Sequence, residues 1–238
     1  MFNLFVLQTI LFLTPEVFGS IQSSHSTNDY VLGNHVIIER TIGQLNKIKT
    51  IRYHQVFDQK SEKENRSDHV ENDIYIEFLP AVEPVGFKFY TATRDYTTIY
   101  DGQKIYSLDT KTGKNAVTEK PVKSNFSGLT FIYNSIPAIK SNLPMILNDK
   151  EIAKTISVSK MGDFYLISFS MKRSVLDRLG GIRQLERDGT VTYEVTIDAN
   201  TFLPSKMQME NRKNKVLQVT TFSDISVDSD CSHLFKAE

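Results

Sequence analysis

The chain has 238 residues, 28 Lys plus Arg against 28 Asp plus Glu, 40% hydrophobic residues, 15 Phe, 10 Tyr and no Trp. The balanced charge gives no net field toward nucleic acid or anionic lipid, and no basic stripe with interleaved aromatics is present. A single cysteine, Cys231, excludes an internal disulfide, a CxxC redox pair and a multi-cysteine metal centre.

Residues 1–19 read as a secretory signal peptide. Phe2 to Leu13 is an apolar run too short for the roughly 20 helical residues that span a bilayer, and Val17-Phe18-Gly19 has the pattern of a cleavage site. Residues 20–33 read as a disordered polar spacer. Val36, Ile38, Ile42, Leu45 and Ile48 then recur at helical steps, with Asn34 as the expected N-cap. Lys49 to Asp58 reads as a first strand, and Ser61 to Asn72 as a charged hairpin loop or strand end. Ile74, Ile76 and Phe78 alternate with polar residues, and Phe87 and Phe89 continue the pattern in the next strand. Tyr96 to Tyr100 and Lys104 to Leu108 flank an Asp101-Gly102 turn. A short strand around Ala116 follows the Lys111-Thr-Gly113 turn.

From Asn125 to Leu147 the alternation stops. Leu129, Ile132, Ile136, Ile139, Ile146 and Leu147 predict helical pieces, broken before Pro137 and before Pro144. Lys154 to Ser159 and Phe164 to Met171 read as strands, the second apolar on both faces and so expected to be central and covered. Lys172 to Asp188 is a charged excursion turning at Gly180-Gly181. Thr190 to Val227 reads as a three-stranded antiparallel meander. Its inner face is expected to carry Val191, Tyr193, Val195, Ile197, Met207, Met209, Leu217 and Val219, with a bulge or strand end near Thr220 or Thr221 that re-phases Phe222. Residues 228–238 read as a polar C-terminal tail. The fold class is therefore mainly β: one domain over 34–227, a curved antiparallel sheet of about ten strands with an N-terminal helix and a helical lid.

The chemistry-bearing residues are scattered. His25, His35, His54, His69 and His233 lack metal-ligand spacing, and His54 reads as a rim residue. The carboxylate pairs Asp228/Asp230 and Glu62/Glu64 fall in charged, turn-like segments. There is no GxSxG elbow, no SxxK, and GLGGIRQ does not match a phosphate cradle. The expectation is a non-catalytic protein with no metal and no cofactor.

The phrases TTIYDGQKIYSLD, SGLTFIYNSIPAIKSNLPMIL and TIDANTFLPSKMQMENRKNKVLQVTTFSDI, in that order behind an amphipathic helix, carry a resemblance. The closing phrase has Ile197-Asp198, Thr201, Pro204, Lys206, Met207 and Phe222-Ser-Asp-Ile225. Over Asn34 to Val227 the chain resembles the LolA-like superfamily of bacterial envelope proteins. More narrowly, it is similar to domains found ahead of the thioredoxin-like module in TlpA-like proteins of the Bacteroidota type. It departs from that type in ending at Glu238, where the redox module would begin, and no lid-holding arginine is carried over to Arg40, Arg52 or Arg94.

The resemblance implies an unclosed half-barrel whose helical lid covers an apolar cavity, in an exported protein of the periplasm or cell envelope. It implies binding of a lipid or a lipoprotein acyl chain, with an envelope redox or membrane protein as a further partner. The cavity residues expected on this basis are Phe87, Phe89, Phe131, Ile132, Ile136, Met207 and Met209. The residues alone favour packing of a core between sheet and helix by the same side chains, so cavity lining and core packing both stand. The alternative function is a ligand-free accessory domain of a TlpA-like redox protein.

Overall fold

The computed structural model describes residues 27–132, 134–177, 179–185, 189–230 and 232–235. The expected leader over 1–19, the first part of the spacer and Cys231 lie outside them. Helix α1 (Thr27–Lys47) is followed by a meander of β1 (Thr50–Ser61), β2 (Arg66–Phe78), β3 (Phe87–Ala92), β4 (Tyr96–Tyr100), β5 (Lys104–Asp109) and β6 (Asn115–Glu119). A helical insert comes next, with α2 (Lys123–Phe126), a 3-10 turn (Thr130–Ile132), α3 (Ile136–Asn148) and α4 (Lys150–Ala153). The chain returns through β7 (Ser157–Met161) and β8 (Phe164–Lys172), makes a small hairpin of β9 (Ser174–Leu176) and β10 (Ile182–Gln184), and closes with β11 (Thr190–Asp198), β12 (Pro204–Asn211) and β13 (Val216–Val227).

Eleven strands form one antiparallel sheet in the order β6-β5-β4-β3-β2-β1-β13-β12-β11-β8-β7, and β9 pairs with β10 separately. The link between the two halves is β1 beside β13, in register from Gln55↔Phe222 to Ser61↔Val216. The edge strands β6 and β7 do not pair, so the sheet stays open. This is the mainly β half-barrel with an N-terminal helix and a helical insert that the resemblance implied.

The inner face carries the core. Ile51, Tyr53, Ile74, Ile76, Phe89, Ile167, Phe169, Val191, Val195 and Ile197 are buried on it. Helix α3 lies over it and buries Ile136, Ile139, Leu143 and Ile146. Each such side chain contributes roughly 1.5–3 kcal/mol by leaving water. At one flank an aromatic cluster seals the insert to the sheet. The Phe89 and Phe131 ring centroids are 4.8 Å apart, and those of Tyr100 and Phe126 are 4.9 Å apart. Helix α1 closes the end of the sheet where β1 begins. Asn34 Nδ2 donates to the Ile156 carbonyl at 3.5 Å and its Oδ1 accepts from Val158 N at 3.2 Å. Lys140 of α3 donates to the Leu45 carbonyl at 2.8 Å, where a cation meets the negative end of α1.

Several expectations are corrected. Helix α1 begins at Thr27, so residues 27–33 are helical rather than spacer, and Asn34 ties α1 to the β7 edge instead of capping the helix. Val36 is 41% exposed and lies off the buried stripe. Most of Ser61–Asn72 is paired strand, with the turn confined to residues 62–65. Pro144 does not break the insert: α3 runs through it. Proline inside a helix costs about 3 kcal/mol or more, and the burial of Ile139, Leu143 and Ile146 on either side outweighs that. Strand β8 is second from an edge and buries one face only; Phe164, on the other, is 40% exposed. The tail is not free. Asp228 accepts from Lys49 N at 2.9 Å, and a 3-10 turn (Ser232–Phe235) beside β3 and β4 buries Phe235.

The phase of β13 also differs. Its inner residues are Gln218, Thr220 and Phe222, whereas Leu217 and Val219 face outward. The irregularity sits further along, where Arg52↔Ser226 is followed by His54↔Ser223 and Asp224 takes a φ of 53°. One extra residue there re-aims the strand end.

The turn between β11 and β12 gives the IDxxT phrase a physical meaning. Asp198 Oδ1 accepts from Asn200 N at 3.0 Å, Thr201 N at 2.8 Å and Thr201 Oγ1 at 2.9 Å. Thr201 Oγ1 in turn accepts from Leu203 N at 3.3 Å. These bonds, led by the Thr201 amide, hold the Asp198 carboxyl below its ordinary range.

Asp198→Ala is expected to lower stability by about 1 kcal/mol, the value of a lost local hydrogen-bond set on a solvated turn. Because the folded pKa is depressed, the wild-type advantage is complete above the ordinary aspartate value near 3.9 and vanishes as pH falls through the folded value; urea melts at pH 7 and below pH 3 check this. Pro144→Ala is expected to raise the thermal midpoint, since restoring the bond to the Lys140 carbonyl recovers more than the half-buried ring contributes.

Candidate functional site

The insert does not fill the concave face evenly. Over β11, β12 and β13 it leaves a cavity of about 560 Å3. Its floor is Tyr193, Met207, Met209 and Gln218, one inner-face residue from each neighbouring register position, with Tyr193↔Met209 and Met209↔Gln218 as direct partners. Its inner wall is Asn134, Ala138 and Asn142 from the insert, and its outer wall is the β9–β10 hairpin through Val175, Leu176, Asp177, Leu179 and Arg183. Lys123, Ser124 and Ser127 complete the mouth.

The hairpin is held against α3 by one buried amide. Asn142 Oδ1 accepts from Gly181 N at 3.0 Å, and Asn142 Nδ2 donates to the Asp177 carbonyl at 3.4 Å. The turn needs its glycine: Gly180 has a φ of 87°, and a Cβ there would stand 2.1 Å from Ser141 Oγ. From the sheet side, Leu176 N donates to Tyr193 Oη at 3.0 Å. Burial pushes the Tyr193 phenol up to about 12, so at neutral pH it is an uncharged hydroxyl. Its ring stacks on Phe169 at 5.1 Å. The cavity therefore has an apolar, compliant floor with neutral polar groups, and charged residues at Lys123, Asp177 and Arg183.

The seven residues expected to line a cavity are divided by the structure. Met207, itself buried in the core, and Met209, packed against it, line the floor. Phe87, Phe89, Phe131, Ile132 and Ile136 are buried in the core, packed against sheet and insert. The side chains not foreseen are Tyr193, Gln218, Asn134, Ala138, Asn142 and those of the hairpin. Tyr193 was legible as an inner-face residue but gave no sign of lining a space, and Gln218 was read onto the outer face. His54 pairs with Asp73 at 2.9 Å on the partly exposed outer side of the sheet. No group of three or more metal-binding side chains occurs among the described residues, and none of their helices is long and apolar enough to cross a membrane.

No family model matches the chain, and no curated protein matches it. Among solved structures, LprF from Mycobacterium bovis is 8% identical, with a TM-score of 0.46 over 84% of this chain and 95% of that one. A putative outer membrane lipoprotein-sorting protein domain from Vibrio parahaemolyticus is 11% identical, with a TM-score of 0.39 over 86% of this chain and 97% of that one. A LolA superfamily protein from Nitrosomonas europaea is 8% identical, with a TM-score of 0.34 over 84% and 97%.

Gly180→Ala is expected to loosen the hairpin by about 1–2 kcal/mol, the cost of a left-handed non-glycine residue, and to speed amide exchange at Asp177 and Gly181. Adding Ser141→Gly removes the clash but not the backbone strain, so the double variant is expected to recover only part of the loss.

Proposed function

We propose that this protein is an exported, non-catalytic envelope protein that holds a lipid or the acyl chain of a lipidated partner. The observation that carries the reading is the cavity between sheet and hairpin, floored by Met207 and Met209. Methionine is flexible and polarisable and accommodates irregular apolar chains. The volume is within the range of small-molecule sites, and each methylene taken from water contributes about 0.8 kcal/mol. A ligand here enters past the β9–β10 hairpin, which pairs with no strand of the main sheet.

A second reading has its own observation. Six of the seven expected cavity residues, Met207 among them, are buried in the core, so most of the concave face is filled. That supports a scaffold or interaction domain, such as an accessory domain of a TlpA-like redox protein, acting through its surface.

Native mass spectrometry of the whole chain purified from an envelope fraction, followed by organic extraction, separates the two. Added mass that extracts as lipid is the expected result. Met209→Asp, half-exposed on the floor, is expected to cut uptake of a fluorescent fatty-acid probe by an order of magnitude or more, because its carboxylate must be dehydrated under the ligand. A bare polypeptide that takes up no probe sinks the carrier reading.

A further inference from the structure

We propose that the cavity over β11 to β13 takes a single-chain amphiphile with an anionic oxygen head group, a carboxylate or a phosphate, and that Arg183 and Tyr193 bind that head. This rests on the carrier reading above and adds the chemistry of the ligand.

The lining of this cavity combines two kinds of side chain. Met207 and Met209 give it an apolar base suited to a hydrocarbon chain. Lys123 and Arg183, both exposed, line the same space. Among the described residues neither is in an ion pair. Asp177 is the one carboxylate of the described lining, and its Oδ1 accepts from Leu179 N at 3.1 Å. The chain as a whole balances 28 cationic side chains against 28 anionic ones, so the excess of two cations over one carboxylate is local to this cavity. Unpaired cations beside an apolar space complement an amphiphile with a negative head and repel one with a positive head.

Tyr193 supplies a buried donor beside Arg183. The residue is 2% exposed and lines the cavity. Its Oη accepts from Leu176 N at 3.0 Å, and its own O–H has no acceptor among the described residues. Leu176 pairs with Ile182, the neighbour of Arg183 on β10, so the hydroxyl is anchored within one register step of Arg183. Burial keeps the phenol protonated at neutral pH, against the opposing pull of the Leu176 amide and the Arg183 charge. The phenol is therefore a donor, and the guanidinium is close enough to act on it. Other polar groups of the lining are already engaged. Asn142 holds the hairpin with both amide atoms, and Gln218 is shared between Gln59 and Asn134. A guanidinium offers a planar fork of donors that matches the paired oxygens of a carboxylate or phosphate. An alcohol head satisfies the phenol but leaves the guanidinium to water.

The test compares ligands of one chain length and different heads: dodecanoate, dodecyl phosphate, dodecanol and dodecylammonium. Binding to the whole chain is measured by calorimetry at pH 8 and low salt. The wild type is expected to prefer an anionic head over dodecanol by about tenfold, the value of one hydrogen bond to a charged group. Whichever of dodecanoate and dodecyl phosphate binds tighter identifies the anion, and either supports the inference. Arg183→Gln is expected to remove most of the preference and Arg183→Lys to restore part of it. Tyr193→Phe is expected to lower it as well; because the readout is a ratio of two affinities, any loosening of the hairpin cancels. Equal affinity of the wild type for dodecanoate, dodecyl phosphate and dodecanol overturns the inference without any variant, as does a preference for dodecylammonium. Full retention of the preference in folded Arg183→Gln also overturns it. Inorganic phosphate binding as tightly as dodecyl phosphate reduces the site to one for a free anion and overturns the amphiphile. Binding of no dodecyl ligand by the wild type instead overturns the carrier reading on which the inference stands.

Discussion

An open, curved antiparallel sheet has one face that must be taken out of water by something other than a second sheet. Here that requirement falls on the insert between β6 and β7. The chain leaves the sheet at one edge strand and returns at the other, so α2, α3 and α4 necessarily cross the concave face. Helix α3 is the only described element both long and apolar enough to cover it. The aromatic contacts of Phe89 with Phe131 and of Tyr100 with Phe126 fix one flank of that crossing, each adding about 0.5–1.5 kcal/mol beyond area burial. Lys140 on the Leu45 carbonyl joins it to α1. The position of every functional side chain follows from where α3 comes down.

Coverage by the insert is unequal. Close contact over β1 to β3 consumes Phe87, Phe89, Phe131, Ile132 and Ile136 as core. Over β11 to β13 a gap opens, and the β9–β10 hairpin folds over it as an outer wall. That wall depends on a few specific contacts: the Asn142 amide, the Gly180 turn against Ser141 and the Tyr193 hydroxyl. A hairpin of two three-residue strands buries too little to stand alone, so its position depends on these contacts.

The inner face changes character along β1 and β13. Near the start of β1 it is apolar, with Ile51, Tyr53 and Phe222. Toward the other end it carries Gln55, Gln59, Gln218 and Thr220. Gln59 and Gln218 bond to each other, whereas the buried Gln55 amide and Thr220 hydroxyl have no protein partner and weaken the core there.

The alternation of Ile74, Ile76 and Phe78, and of Val191 to Ile197, determined strands by itself, because period two admits no other regular structure. Turn residues at Asp101-Gly102 and Lys111-Thr-Gly113 located the reversals for the same local reason, and the loss of alternation after Asn125 marked the insert. What alternation does not contain is the identity of the inner face where that face carries polar residues. Along β13 the rule that apolar residues point inward selected Leu217 and Val219, and pairing with β1 and β12 reversed it in favour of Gln218 and Thr220. Pro144 gave a break by local rules, and the burial of both halves of α3 overrode it. Asn34 had the chemistry of a cap and became a clamp on β7 because the tertiary fold brought a strand edge to it. Which of seven apolar residues also face a cavity was decided only by how the insert and the β9–β10 hairpin pack on the sheet, a quantity that no local stretch of sequence carries.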